Sequence, residues 1–276
     1  MNRLFALFTS LFLAVTLATP ATALADSKTD KRLEDSRKVF EAFSDLTEQA
    51  IPVWLLERAY GVVVVPGVVK VALSLGGRGG RGVMAVRNPD GTWSNPAFVN
   101  LGGVNFGFQF GVQSTDVVLV LMSRQSVEGI AGGKVTLGAD ASVAAGPLGR
   151  SSSAATDATL SAQVLSYSRS SGLFAGVALD GTWIVVDKAA NETAYGISDV
   201  LASQILEGKV GNVPEAARAF TAALTRATTA AGGAAVAPKP AEPAPAAAPA
   251  PVPAPSEPAK TYPMEDPNPG APPPSN

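Results

Sequence analysis

The 276-residue chain contains neither histidine nor cysteine, which removes the side chains most used for chemistry near neutral pH. Ser-His-Asp and Cys-His nucleophilic sites are excluded, as are zinc and haem sites built on His or Cys, and disulfides. Carboxylates, amines, guanidinium groups and hydroxyls remain. Arg78 and Arg81 stand within Gly76–Gly82, GGRGGRG, where glycine exposes backbone N–H groups able to cradle a phosphate and the arginines add charge-assisted bonds to a lipid headgroup. The segment has neither the Lys-Ser/Thr ending of a P-loop nor a G-x-G-x-x-G that opens a helix, because a strand follows it. The plainer alternative is a hairpin loop with solvated arginines. Lys70 joins them as a headgroup cation, since alternation turns it away from the apolar side of its strand. Asp140 falls in mid-strand, either paired with an arginine such as Arg150 or Arg169 or acting with Asp116 as a functional acid. No metal or cofactor is expected. A formal net charge of -2 is too balanced for a nucleic-acid binder.

The elements that must hold these residues centre on Gly102–Met122, GGVNFGFQFGVQSTDVVLVLM. Val104, Phe106, Phe108, Phe110 and Val112 alternate with Asn105, Gly107, Gln109, Gly111 and Gln113, which predicts a strand. Ser114-Thr115-Asp116 offers a turn, and Val117–Met122 has no polar interruption, so it reads as a second strand covered on both sides. Gly107 and Gly111 on one face signal a kink, a bulge or a close approach. Upstream, the VVVVP of residues 62–66 is a strand closed by proline, and Val69 to Leu75 alternate as another. Val83–Arg87, the turn Asn88-Pro89-Asp90-Gly91 and Thr92–Ser94 form a hairpin. The tetrapeptide DGTW recurs at residues 180–183 and predicts a second tight turn. A helical turn over Arg124–Gly133, alternation from Lys134 to Val143, and strands near residues 160–167, 173–179 and 183–186 complete the set.

Helices flank this sheet. From Ser27 to Ala50, Leu33, Val39, Phe40, Phe43, Leu46 and Ala50 form a stripe, while the opposite side mixes both signs of charge. Such a helix either lies on a membrane surface or packs on the sheet behind it. Ile51-Pro52 ends it, and a short helix runs from Trp54 to Tyr60 with Gly61 as C-cap. Near the C-terminus, Ile197, Val200, Leu201 and Ile205 form a stripe, and Pro214 opens a helix through Arg226 with Phe220 and Leu224 inward.

Residues 1–25 carry Arg3, an apolar run and the small-x-small triplet Ala23-Leu24-Ala25, which predicts a secretory signal peptide cleaved after Ala25. The apolar run of about 15 residues falls short of a bilayer span. Export to the periplasm or beyond follows, where no ATP supply supports a kinase. From residue 230 onward the chain is Ala- and Pro-rich. Fifteen of the 22 prolines lie beyond residue 236, so residues 230–276 read as an extended tail that buries no core.

The blocks AYGVVVVPGVVKVALSLGGRGGRGVMAVRNPDGTWSNPAFVNLGG, GFQFGVQSTDVVLVLM, TLGADASVAAGPLGR, YSRSSGLFAGVALDG and Asn191–Gly196 resemble, in order, those of the SYLF domain family. The resemblance implies a lipid-binding module. Eukaryotic members are phosphoinositide- and actin-binding domains, and bacterial members are exported proteins associated with phospholipid. Lipid contact in the family is attributed to the N-terminal amphipathic helix with nearby basic residues, which match Val39, Phe40 and Phe43 with Arg37 and Lys38. The helix is not basic overall and no SH3 domain follows, so lipid binding carries over to an exported member and actin binding does not.

The fold expected is α+β: a curved, nearly closed antiparallel sheet of about eight or more strands with N- and C-terminal helices packed on it, in one domain over residues 26–229. An outer-membrane barrel is disfavoured by the scarcity of girdle aromatics and the uninterrupted apolar strand at 117–122. A non-enzymatic phospholipid-binding envelope module is the leading reading, with a membrane surface as partner. The alternatives are a structural or protein-interaction domain with an envelope partner, tethered by its tail, and an enzyme built on Asp140 and Asp116.

Overall fold

The computed structural model describes residues 21–44, 51–148, 161–170, 173–176 and 179–229. Most of the expected signal peptide, the whole Pro-rich tail, and Leu46, Ala50 and Arg150 lie outside these residues. The described helices are α1 (Ala21–Ser44), α2 (Val53–Arg58), α3 (Arg124–Ala131), α4 (Lys188–Tyr195), α5 (Ala202–Leu206) and α6 (Glu215–Thr229). The strands are β1 (Gly61–Val86), β2 (Ala97–Leu121), β3 (Lys134–Thr136), β4 (Val143–Ala145), β5 (Val164–Ser170), β6 (Leu173–Gly176) and β7 (Thr182–Val186). Among the described residues they form one sheet ordered β3-β7-β2-β5-β4, with β1 paired to β2 and β6 to β5. The class is α+β with a curled sheet, as expected, and the sheet stays open. One pairing departs from the antiparallel expectation, because β4 runs parallel to β5.

Two long strands replace several short ones. The segments 62–66, 69–75, 76–82 and 83–87 are one strand, β1, whose 26 residues pair with the 25 of β2. The turn expected at Ser114-Thr115-Asp116 is absent: Ser114 and Thr115 lie opposite Val69 and Val68 within the β1–β2 ladder. Local turn chemistry yields to pairing along β1, and Asp116 is used differently. At Pro66-Gly67 the register shifts, Gly67 has φ of 54°, and its N–H donates to Asp116 Oδ1 at 2.9 Å. Proline cannot donate to a ladder and glycine accepts a positive φ, so this pair makes a bulge and not a strand end. A second register shift falls between Ala72 and Ser74, whose partners are Gly111 and Gly107, which is the bulge those two glycines signalled.

The GGRGGRG segment is likewise strand and not loop, with Gly76 to Gly82 opposite Asn105 to Val99. Glycine there permits the curl. A Cβ on Gly82 would stand 2.1 Å from the Val64 carbonyl oxygen, and one on Gly80 2.7 Å from a Val65 methyl. Run straight, the strand from Val64 to Gly82 would measure about 60 Å. The two ends of β1 touch instead, so the β1–β2 ribbon bends back on itself.

The hairpin at Asn88–Gly91 forms as expected, with Gly91 at φ 83°. Gly61 does not cap α2, since Ala59 is already extended and Gly61 opens β1. Asp140 is not in a strand. It lies in the turn after β3 and its Oδ2 accepts the Thr136 N–H at 2.7 Å. Helix α4 has no apolar stripe strong enough to predict it; Asp187 caps it by accepting from Ala190 N. The core lies between the sheet and α1, α2, α5 and α6. Phe40 and Phe43 of α1 are fully buried, stacking edge-on against Phe220 at 6.5 Å and Phe174 at 4.9 Å. Burial of each phenyl ring contributes about 2–3 kcal/mol. Trp93 is buried beneath α6 with Nε1 3.4 Å from Thr228 Oγ1.

Candidate functional site

Lys70 and Arg78 are eight residues apart on one strand, a straight-line separation of about 26 Å. The curl of β1 brings both to one cleft of about 500 Å³, lined also by Gln113, Thr115 and Val117 of β2, Ser168 and Ser170 of β5, and Leu173 and Ala175 of β6. Its described lining carries two cations and no carboxylate. Arg78 is half-buried, and its Nε has no hydrogen-bond partner among the described residues. Burial lowers the Arg78 pKa from its ordinary value, opposed by the Asp180 carboxylate, which attracts the guanidinium without forming an ion pair among the described residues.

Between its contacts with β7 at 99–103 and with β5 at 116–121, β2 pairs only with β1 among the described residues. This free part of the ribbon carries exposed apolar side chains. Val112 is 75% exposed and Val104 54%; Val69 and Val71 are exposed too, and Val71 lies directly across from Val112. Leu173 of β6, at the cleft's rim, is 75% exposed. Val69, Val71 and Val112 stand on neighbouring positions and make a patch, in contrast to isolated exposed residues that need no explanation, while Val104 lies eight residues farther along β2.

Arg81 does not join Lys70 and Arg78. It lines a second cleft of about 1050 Å³ with Lys28, Lys31, Arg32, Asp35, Asn100 and Asp187. Two of its four cations are engaged: Lys31 pairs with Asp35 at 2.7 Å and Arg32 with Asp187 at 2.8 Å. Arg32 also donates to the Val99 carbonyl and to Asn100 Oδ1 at 3.3 Å, fastening α1 to β2 and to the start of α4. Burial pushes the Asp187 carboxyl up, but hydrogen bonds from Arg32 and the Ala190 N–H outweigh it and hold it below the usual carboxylate range. Burial pulls the Arg32 guanidinium down despite Asp187, yet arginine stays protonated, so the pair is ionised at neutral pH. Sequence spacing had no means of finding this pair, since its members are 155 residues apart.

The N-terminal helix presents its expected lipid-contacting residues differently from the resemblance. Val39, Phe40 and Phe43 are buried in the core, so the sheet-packed alternative is the one adopted, and contact of these three with lipid would require α1 to leave the sheet. Arg37 lies between Glu34 at 2.7 Å and Glu41 at 2.6 Å, which hold its pKa above the usual value, and it holds the Glu34 carboxyl down to about 2. Lys38 is exposed, 3.4 Å from Glu34. The outer face of α1 is therefore charge-compensated.

The two candidate acids have separate structural partners. Asp116 accepts from Gly67 and pairs with Arg169 at 3.6 Å, while Asp140 closes its own turn and pairs with neither Arg169 nor any other described arginine. No cluster of metal-binding side chains occurs among the described residues. No described helix is long and apolar enough to cross a membrane.

Comparison with known proteins bears on what such a sheet is. Residues 102–227 match the family model described as Ysc84: Las17-binding protein actin regulator. The chain is 41% identical over 173 residues to Protein YSC84 of Saccharomyces cerevisiae, covering 62% of this chain and 36% of that one. It is 36% identical over 188 residues to SH3 domain-containing YSC84-like protein 1 of Rattus norvegicus, covering 66% and 54%. It is 39% identical over 170 residues to LAS seventeen-binding protein 3 of Saccharomyces cerevisiae, covering 60% and 37%. The matched region thus spans between about a third and a little over half of these relatives' length. One of the three is named for binding LAS seventeen, and the family model is described as a Las17-binding actin regulator. The family expected from the sequence blocks and the family matched by residues 102–227 are the same, and those residues carry a domain of the Ysc84, or SYLF, family.

Proposed function

We propose that this protein is a non-enzymatic lipid-binding module of the cell envelope, exported by cleavage after Ala25 and working at a phospholipid surface. The observation that carries the reading is the exposed apolar patch of Val69, Val71 and Val112 on a ribbon whose cleft holds two cations without ion pairs among the described residues. Apolar side chains that enter the acyl boundary and cations that meet headgroups are the two contributions a peripheral membrane protein uses, and here alternation sets the valines and Lys70 on opposite faces of the ribbon. Lys70 and Arg78 serve this contact, and the apolar residues come from the ribbon in place of Val39, Phe40 and Phe43. Arg37, Lys38 and Arg81 contribute long-range attraction at most. The local structural partners of Asp116 and Asp140 support a function without bond chemistry.

The test is co-sedimentation of the protein, in whatever form cells process it to and with its N-terminus read by intact mass, with vesicles of phosphatidylcholine alone and with added phosphatidylglycerol. Binding to both, stronger on the anionic vesicles and weakened by salt, is expected. An N-terminus at Asp26 in the envelope fraction is expected as well. Indifference to both vesicle types at low salt removes the reading.

A second reading, a protein-interaction domain, is supported by a groove of about 730 Å³ between α2, α3 and α5 where Tyr60 and Leu201 are exposed. The names of two relatives, as SH3 domain-containing and LAS seventeen-binding proteins, point the same way. A stable stoichiometric partner purified with the protein, together with no vesicle binding, would favour it.

A further inference from the structure

The cleft enclosed by the curl has the chemistry of a phosphate site, and this follows from the fold and not from any motif. Bending of β1 places Lys70 and Arg78, far apart along the strand, in one concave space. Thr115, Ser168, Ser170 and Gln113 line the same space with hydroxyl and amide donors, although Ser168 Oγ also donates to the Ala175 carbonyl and Ser170 and Gln113 contact each other at 3.2 Å. Val68, Val117, Leu173 and Leu179 supply an apolar wall. Neither cation has an ion pair among the described residues, and the Arg78 Nε–H, sealed from solvent, has no acceptor there. A guanidinium with no ion pair at the wall of a cleft can give charge-assisted hydrogen bonds to an anion bound there. The larger cleft beside α1 does not share this character, because Asp35 and Asp187 already occupy two of its cations.

We propose that Arg78 and Lys70 form a binding site for one phosphate group inside the curled sheet, with Arg78 giving directed hydrogen bonds and Lys70 the second positive charge. Arginine suits the first role because its planar fork matches phosphate oxygens, and lysine the second because its ammonium acts as a point charge. The apolar wall beside the two cations selects an amphiphilic phosphoester over a bare ion. Two sources share that chemistry, a phospholipid headgroup and a free phosphoester. The headgroup source rests on the lipid reading above; the site itself does not.

The experiment compares the full protein with the double variant Arg78→Gln, Lys70→Gln and with two controls, Arg81→Gln and the pair Arg37→Gln, Lys38→Gln. Each is titrated calorimetrically with glycerol 3-phosphate and with inorganic phosphate, and each is sedimented with phosphatidylcholine vesicles with and without phosphatidic acid. Melting temperatures confirm that the variants fold; Arg78→Lys, which retains charge but not the fork, replaces the double variant if that fails to fold. Loss of charge-assisted bonds predicts at least about a tenfold weaker affinity for the phosphate-bearing probe in the double variant, with the controls within about twofold. Binding of glycerol 3-phosphate but of no vesicle, lost in the double variant, upholds the site and assigns it to a free phosphoester while ending the lipid reading. Vesicle binding that prefers phosphatidic acid and loses that preference in the double variant upholds the site as a headgroup site. Vesicle binding unchanged in the double variant, or no binding of any phosphate-bearing probe by the unaltered protein, overturns the proposal, and in the first case the lipid reading stands without it.

Discussion

Arg32 and Asp187 are the residues on which the position of α1 depends most directly. Their side chains are 10% and 18% exposed, so neither charge is solvated enough to survive alone. Asp187→Asn retains the cap on Ala190 N, since asparagine caps as well as aspartate does, but leaves the guanidinium unpaired. A loss of about 3 kcal/mol is expected, read from urea denaturation. The pH dependence has a definite sign. The folded-state pKa of Asp187 is depressed, so its contribution is complete above the unfolded value of about 4 and is lost as pH falls through the folded value. Between neutral and acid pH the gap in denaturation midpoint between the natural protein and Asp187→Asn should therefore close. A gap that widens on acidification would mean that the carboxylate is not what Arg32 needs.

At the scale of elements, the curl of the β1–β2 ribbon is a consequence of where glycine stands. Gly82 faces the Val64 carbonyl so closely that a methyl group has no room, and two of the three contacting atoms, the Val64 oxygen and Val65 Cα, belong to backbone that cannot rotate away. Gly82→Ala should cost about 3 kcal/mol or prevent folding. Gly208 is the control: its φ of 73° strains an alanine, but open space surrounds it, so Gly208→Ala should cost about 1 kcal/mol. Thermal melts of the two variants give the comparison, and equal losses would show that the near-contact across the curl is not a constraint. The same bending decides the candidate site, since without it Lys70 and Arg78 would serve opposite ends of a flat strand.

At the scale of the molecule, the question is whether lipid is met by a helix that leaves or by a sheet that stays. Helix α1 holds Leu33, Phe40 and Phe43 in the core, and two ion pairs, Arg32 with Asp187 and Glu41 with Arg226, tie it to α4 and α6. Burial of three large apolar side chains at about 2–3 kcal/mol each opposes its release. Hydrogen exchange on phosphatidylglycerol vesicles should leave the amides of residues 28–44 as protected as in solution and slow those of residues 69–78 and 104–113. Faster exchange in α1 on vesicles would instead support a helix that swings out to the membrane.

Much was legible from the residues themselves. The absence of histidine and cysteine excluded whole classes of mechanism, the 3.6-residue stripes located α1 and α6, and the alternation of Val104 to Gln113 located the ribbon, because the period reports helix or strand without knowledge of what covers either face. The blocks from Ala59 to Gly196 sufficed for the family. What covers each face is a nonlocal matter. Only the tertiary structure decided that α1 turns its stripe to the sheet, that Ser114-Thr115-Asp116 runs straight through, and that the glycine-rich arginines are strand and not loop. Each outcome is set by partners distant in sequence: β1 pairing along the whole of β2, Asp187 meeting Arg32, Val64 meeting Gly82. Local propensity cannot count such contacts, and it is their closure that gathers Lys70 and Arg78 into one cleft.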